Sequence, residues 1–110
     1  MYIPKNFFEL LLMIKKRPGA FLGEKSAQKL KIFLDGFEYA MIISQKDYFI
    51  KIYTDFKEWF EKKYKIQSVE SWYDKLSKKY DDTQAFDVFF NELEEFFSKQ
   101  KDSTQHNLFI

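Results

Sequence analysis

Apolar residues recur at helical spacing along almost the whole chain. Between Ser26 and Ser44, the positions Leu30, Phe33, Leu34, Phe37 and Met41 follow the i, i+3, i+4, i+7, i+11 spacing of one helix face. Ile32, Tyr39 and Ile43 form a second stripe on the other side, with Gly36 between them, and Lys31, Asp35 and Glu38 occupy the polar strip that remains. A helix apolar on two sides is expected at the centre of a domain. The pattern therefore predicts an all-α, compact five-helix domain packed around the helix at 26–44. The second stripe meets either the rest of the chain, or an identical subunit or another partner. Gly36 costs the helix interior about 1 kcal/mol relative to alanine, which is understandable where a neighbouring backbone comes close.

The flanking segments after this helix carry one stripe each, and the one before it is apolar almost all round. Asn6 with Glu9 three residues later predicts a helix over about 7–16, apolar on nearly all sides and ending in Lys15 and Lys16, where the helix dipole favours cations. Arg17-Pro18-Gly19 stops it, and Ala20-Phe21-Leu22 pins a loop to the core. After a break at 45–47, Phe49, Ile52, Tyr53, Phe56, Trp59, Phe60 and Tyr64 share one face of a helix over about 48–63. Ser68 is a candidate cap for a fourth helix with Val69, Trp72, Tyr73, Leu76 and Tyr80 inward. Asp81-Asp82-Thr83 caps a last helix over about 84–99, with Phe86, Phe89, Phe90, Leu93, Phe96 and Phe97 inward. Residues 101–110 lack periodicity and are expected to fray.

Composition sharpens this picture. With 110 residues the chain makes one domain, 1–110, and 14 Phe, 7 Tyr and 2 Trp make its core aromatic. Only 3 Gly and 2 Pro are present, too few turn residues for a meander of short strands. Net charge is +1, which lacks the strong positive field of a general nucleic-acid binder. Cysteine is absent, so neither a disulfide framework nor thiolate chemistry is available. No apolar run reaches the roughly 20 residues that span a bilayer. Glu9 interrupts the N-terminal apolar run and Lys15-Lys16-Arg17 follows it, so a cytoplasmic location with no membrane association is expected.

The parts for catalysis are not assembled. His106 is the single histidine, with no neighbour for a triad or a metal site, so no catalytic residue, metal or cofactor is assigned and no enzymatic step is expected. Lys15 to Gly23 resembles a segment near the start of the ATPase subunit of type II topoisomerases. Nothing later supplies that family's Asn-bearing helix or Asp-x-Gly-x-Gly turn, and a helix-terminating loop explains the same residues.

A wider likeness covers most of the chain at scattered positions. It comprises the run Lys16 to Ser26, Phe33-Leu34-Asp35-Gly36-Phe37, Trp59 with Tyr64, Ser71-Trp72, and Ala85-Phe86 leading into Phe89, Phe90, Leu93 and Phe96. This set resembles a group of small, uncharacterised bacterial helical proteins, some of them, by similarity, immunity proteins of polymorphic or contact-dependent toxin systems. Ala20 stands where Met is usual after Pro-Gly. The resemblance implies an all-helical fold and neutralisation of a cognate toxin by binding, and carries over no binding residue.

Charge points separately to the last helix. From Tyr80 to Ser98 there are six acidic residues, Asp81, Asp82, Asp87, Glu92, Glu94 and Glu95, and no basic one. Asp87, Asn91, Glu94 and Glu95 project away from the phenylalanine stripe, with Val88 beside them as a lone outward apolar residue. A stripe of one sign that nothing on its own helix neutralises suits a basic protein partner, such as a nuclease toxin, and equally a solvated face. The partner-binding set is thus Asp81, Asp82, Asp87, Val88, Asn91, Glu94 and Glu95. Two alternatives are a small regulator contacting nucleic acid through Lys15, Lys16, Arg17, Lys25, Lys29 and Lys31, and a structural homodimer built on Ile32, Tyr39 and Ile43.

Overall fold

Asn6 caps the first helix as its sequence requires: the side-chain Oδ1 accepts the Glu9 backbone N–H at 2.8 Å, and α1 runs Phe7–Lys16. A computed structural model describes residues 3–67 and 69–102, with side chains described as far as residue 100. The chain then forms a short helix α2, Pro18–Leu22, where the sequence predicted a loop. Proline fixes the backbone angle that a first helical residue needs and loses no hydrogen bond there, so Pro18 starts a turn as well as ending one. Gly23 closes α2 at φ +85°, a left-handed conformation that glycine adopts at no steric cost.

Ser26 caps α3, Ala27–Ile43, through its Oγ on the Lys29 N–H at 3.1 Å. A single 3₁₀ turn, Asp47–Ile50, leads into α4, Lys51–Tyr64, so the one helix expected over 48–63 begins as a tighter coil. Helix α5, Trp72–Ser77, starts at Ser71, which forms a capping box with Asp74: Ser71 Oγ accepts the Asp74 N–H at 3.1 Å, and Asp74 Oδ2 accepts the Ser71 N–H at 2.9 Å. Helix α6 is the longest, Asp82–Asp102. Among the described residues there is no strand, and the all-α expectation holds with six helices in place of five.

One placement differs from expectation in the α5 region. Val69 is 99% exposed, outside the inner stripe assigned to it. The proposed Ser68 cap, and the tail from residue 103 onward with His106, lie outside the described residues.

The core joins Phe7, Leu11 and Ile14 of α1, Leu30 and Leu34 of α3, Tyr53, Phe56 and Phe60 of α4, Trp72 and Leu76 of α5, and the inward face of α6. Its rings meet edge to face more than flat. Phe56 lies 5.3 Å from Phe89 and 5.8 Å from Phe96, and Trp72 lies 4.4 Å from Phe89, so α4, α5 and α6 converge on Phe89.

Helix α3 touches α2, α5, α6 and the 3₁₀ turn, yet it is not enclosed. Leu30 and Leu34 are fully buried and Phe33, Phe37 and Met41 border the core, as the first stripe requires. The second stripe does not pack against the described residues: Ile32, Tyr39 and Ile43 are 65%, 66% and 67% exposed. The elements that touch α3 pack on the side of Leu30 and Leu34, and the most extensive of these contacts is with α6. Among the described residues, one face of α3 has no neighbour.

Candidate functional site

Helix α6 presents the acidic residues singled out from the sequence, and each sits in a particular setting. Asp81 is the cap of its helix: Oδ1 accepts the Gln84 N–H at 2.7 Å and the Gln84 side chain accepts the Asp81 N–H at 3.2 Å. Asp82 reaches across to α3, where its Oδ1 accepts the Gln28 N–H at 2.9 Å. Gln28 lies in the first turn of α3, whose amides have no partner inside their own helix, so Asp82 and Ser26 between them satisfy two of those donors.

Farther along, the carboxylates meet ammonium groups from other elements. Asp87 pairs with Lys25 at 2.9 Å, an exposed pair of the kind that contributes little. Glu92 is buried, and accepts from Lys63 Nζ at 2.7 Å and from the Tyr64 hydroxyl. Glu95 accepts from the same Lys63 at 2.8 Å. The Lys63 ammonium also lies 5.2 Å from the Trp59 ring centre, which completes a cluster fastening the end of α4 to α6. Burial pulls the Lys63 ammonium down, but the hydrogen bonds to Glu92 and Glu95 outweigh it and hold it above the usual lysine range. Burial, then the hydrogen bond to Glu92, pushes the Tyr64 phenol up to about 12.

These contacts add to one expectation and correct another. Nothing on α6 itself neutralises the acidic stripe before Lys99, but Lys25 and Lys63 supply counter-charge from outside the helix. Val88 is not a lone outward residue, because it is half-buried and packs against the core. Asn91 and Glu94 remain, exposed and with no side-chain partner among the described residues. Together with Asp87 they stand at i, i+4 and i+7 on one line of α6, about 10 Å long at 1.5 Å per residue.

Sequence reasoning missed a second polar cluster, where it saw only a polar strip on α3. Trp72 Nε1 donates to the Tyr53 hydroxyl oxygen at 3.0 Å, and that hydroxyl donates to Asp35 Oδ1 at 3.1 Å. Lys31 pairs with Asp35 one turn away. Glu38 accepts from Lys57 at 2.8 Å, whose ammonium stands 4.6 Å from the Tyr53 ring centre. Burial, followed by the charges of Asp35 and Glu38, holds the Tyr53 phenol far above its ordinary range, against the Trp72 hydrogen bond. A cleft of about 280 Å³ opens beside this cluster, bordered by Lys31, Glu38, Lys57, Glu61, Glu70 and Trp72. Its charged groups are largely engaged with one another, so the cluster acts chiefly to join α3, α4 and α5. The signal available in the sequence was Asp35 and Glu38 at i, i+3 on α3, facing Tyr53 and Lys57 at i, i+4 on α4.

The basic patch is thinned in the same way. Lys25 pairs with Asp87, Lys29 with Glu24 at 2.6 Å, and Lys31 with Asp35, leaving Lys15, Lys16 and Arg17 at the end of α1 without an ion pair among the described residues. Among the described residues, no group of three or more His, Cys, Asp and Glu is placed to hold a metal ion, and no helix is long and apolar enough to cross a membrane. The chain matches no protein-family model, no curated protein and no solved structure.

Proposed function

We propose that the chain is a non-enzymatic protein-binding domain that neutralises a cognate toxin by covering its basic surface with α6. The observation that carries this reading is the outer line of α6. After two ammonium groups have been matched to three of the helix's carboxylates, this line still shows Glu94 to solvent with Asn91 beside it, Asp81 and Asp82 lie exposed at the helix start on backbone N–H groups, and the helix has no cation of its own before Lys99. A rigid helix of one sign steers a partner of the opposite sign and fixes its orientation. The resemblance to small bacterial immunity proteins supplies the class of partner, and the basic cleft of a nuclease is a surface that such a helix can occlude.

The internal ion pairs decide which substitutions test the surface cleanly. Asp87 and Glu95 each pair with a lysine of the same molecule, so reversing them also breaks an internal ion pair. Asn91→Lys and Glu94→Lys change the face alone. The experiment is co-purification from the native host, followed by association kinetics with the captured protein at low and high salt. The expected result is a basic partner whose association slows at high salt, and slows further in the double variant. If affinity at low salt is unchanged while the fold is intact, the acidic line is not the contact surface.

A further inference from the structure

The open face of α3 carries its own pattern. Ile32, Gly36, Tyr39 and Ile43 are spaced 4, 3 and 4 residues apart, the alternation that lets one helix lie along another in a coiled coil. All four are exposed, as are Ala40 and Ile42 beside them, and the strip runs about 16 Å at 1.5 Å per residue. Gly36 is the informative member. It lies in the interior of α3, where glycine is unfavourable. Apart from its own helix backbone and chain neighbours, no described atom lies within 4 Å of the point where a side chain would begin. Among the described residues nothing requires the absence of a side chain there, which points to a partner at this position.

We propose that this face is occupied by a second copy of the chain, with the two α3 helices antiparallel about a two-fold axis passing between Gly36 and Tyr39. That arrangement follows from the spacing. When the helices run in opposite directions, Ile32 of one copy meets Ile43 of the other, and Gly36 meets Tyr39, twice each by symmetry. The largest side chain of the strip is thereby placed over the position that has none. A parallel pair instead sets Gly36 against Gly36 and Tyr39 against Tyr39, leaving a gap beside a clash. A shallow hollow of about 230 Å³, bordered by Phe21, Leu22, Lys29, Ile32 and Phe33, lies where the partner's Ile43 arrives.

The size of the surface also fits. Side chains such as these expose on the order of 150–200 Å² when bare, so Ile32, Tyr39, Ile42 and Ile43 with their small neighbours offer roughly 500 Å² per copy and about 1,000 Å² per pair. This is the lower edge of a specific interface and corresponds to a reversible dimer. The inference is independent of the α6 reading. Because the contact is apolar, added salt does not weaken it, in contrast to binding through α6.

The test uses the full 110-residue chain. Sedimentation equilibrium from about 1 to about 300 µM is expected to show a monomer–dimer equilibrium with a dissociation constant of order 10–100 µM. Tyr39→Asp is expected to weaken dimerisation at least 100-fold with the fold retained. Gly36→Ala is expected to raise the melting temperature of the dilute protein by a few degrees while weakening the dimer at least 10-fold, a combination that a merely tolerated glycine would not give. Orientation is read by oxidation of introduced thiols in a chain that has no cysteine. Ile32→Cys mixed with Ile43→Cys cross-links readily, and either variant alone does so poorly. A chain that stays monomeric across this range, a Gly36→Ala variant that dimerises unchanged, or preferential cross-linking of Ile32→Cys to itself overturns the proposal.

Discussion

Tyr53→Phe removes one oxygen from the most buried polar junction of the fold, and its cost can be worked out from the geometry. The Tyr53 side chain is fully buried, and its hydroxyl both accepts from Trp72 Nε1 at 3.0 Å and donates to Asp35 at 3.1 Å. The two partners lose unequal amounts. Asp35 is half-exposed and recovers a hydrogen bond from water, whereas Trp72 is buried at 3% exposure and keeps an indole N–H with nothing to bond. An unsatisfied buried donor costs about 1–3 kcal/mol, and a phenylalanine ring fills the same space, so no cavity term is added. The expected loss is therefore about 2 kcal/mol, or a fall of roughly 8–10 °C in melting temperature for a domain of this size. Urea unfolding followed by tryptophan fluorescence measures it, with an unchanged slope showing that the same surface is exposed on unfolding. A loss below about 0.5 kcal/mol would mean that the Trp72 N–H finds another acceptor, and would refute the claim that this junction holds α5 in place.

The same phenol predicts part of the alkaline behaviour. Tyr53 and Tyr64 both have folded-state pKa values above their unfolded ones, the latter at about 12. Their contribution to stability is therefore complete below about pH 10 and is lost as pH rises through the folded-state values. Unfolding free energy measured from pH 9 to 12 should fall, and fall less steeply in Tyr53→Phe. Lys63→Met leaves the buried Glu92 carboxylate without its cation and should cost about 1–2 kcal/mol, the partial exposure of Lys63 keeping the figure below that of a fully buried pair; chemical denaturation checks it. Ser71→Ala removes the α5 cap and should cost about 1 kcal/mol. Asp74 is held below the usual carboxylate range by the Ser71 backbone N–H, then by the Ser71 hydroxyl. The stability it confers is therefore present above about pH 4 and fades as pH falls through its lowered value, which an acid titration of wild type against Ser71→Ala resolves.

Helix periodicity and caps were open to sequence reasoning because both are local. Asn6 with Glu9 and Ser26 with Lys29 lie three residues apart, and a cap acts only on the amides of the next turn, so α1 and α3 start where the residues require. The α5 boundary was misplaced for a local reason too. Ser68 and Ser71 both compete as caps, but only Ser71 has a carboxylate at its third following position to return the hydrogen bond. The α6 surface was half legible, since its acidic run is a fact of sequence while its counter-charges are not.

What the sequence determined by itself was the helical character of the chain, the inward residues of α4 and α6, and the count of charges on each helix face. These follow from a 3.6-residue period acting over neighbouring turns. Only the tertiary structure decided which of the two apolar stripes of α3 turns inward and which carboxylates are answered from within. Lys25 is 62 positions from Asp87, and Lys63 is 29 from Glu92. Such contacts depend on how whole helices pack against one another, and the spacing of residues within any single helix carries no record of that.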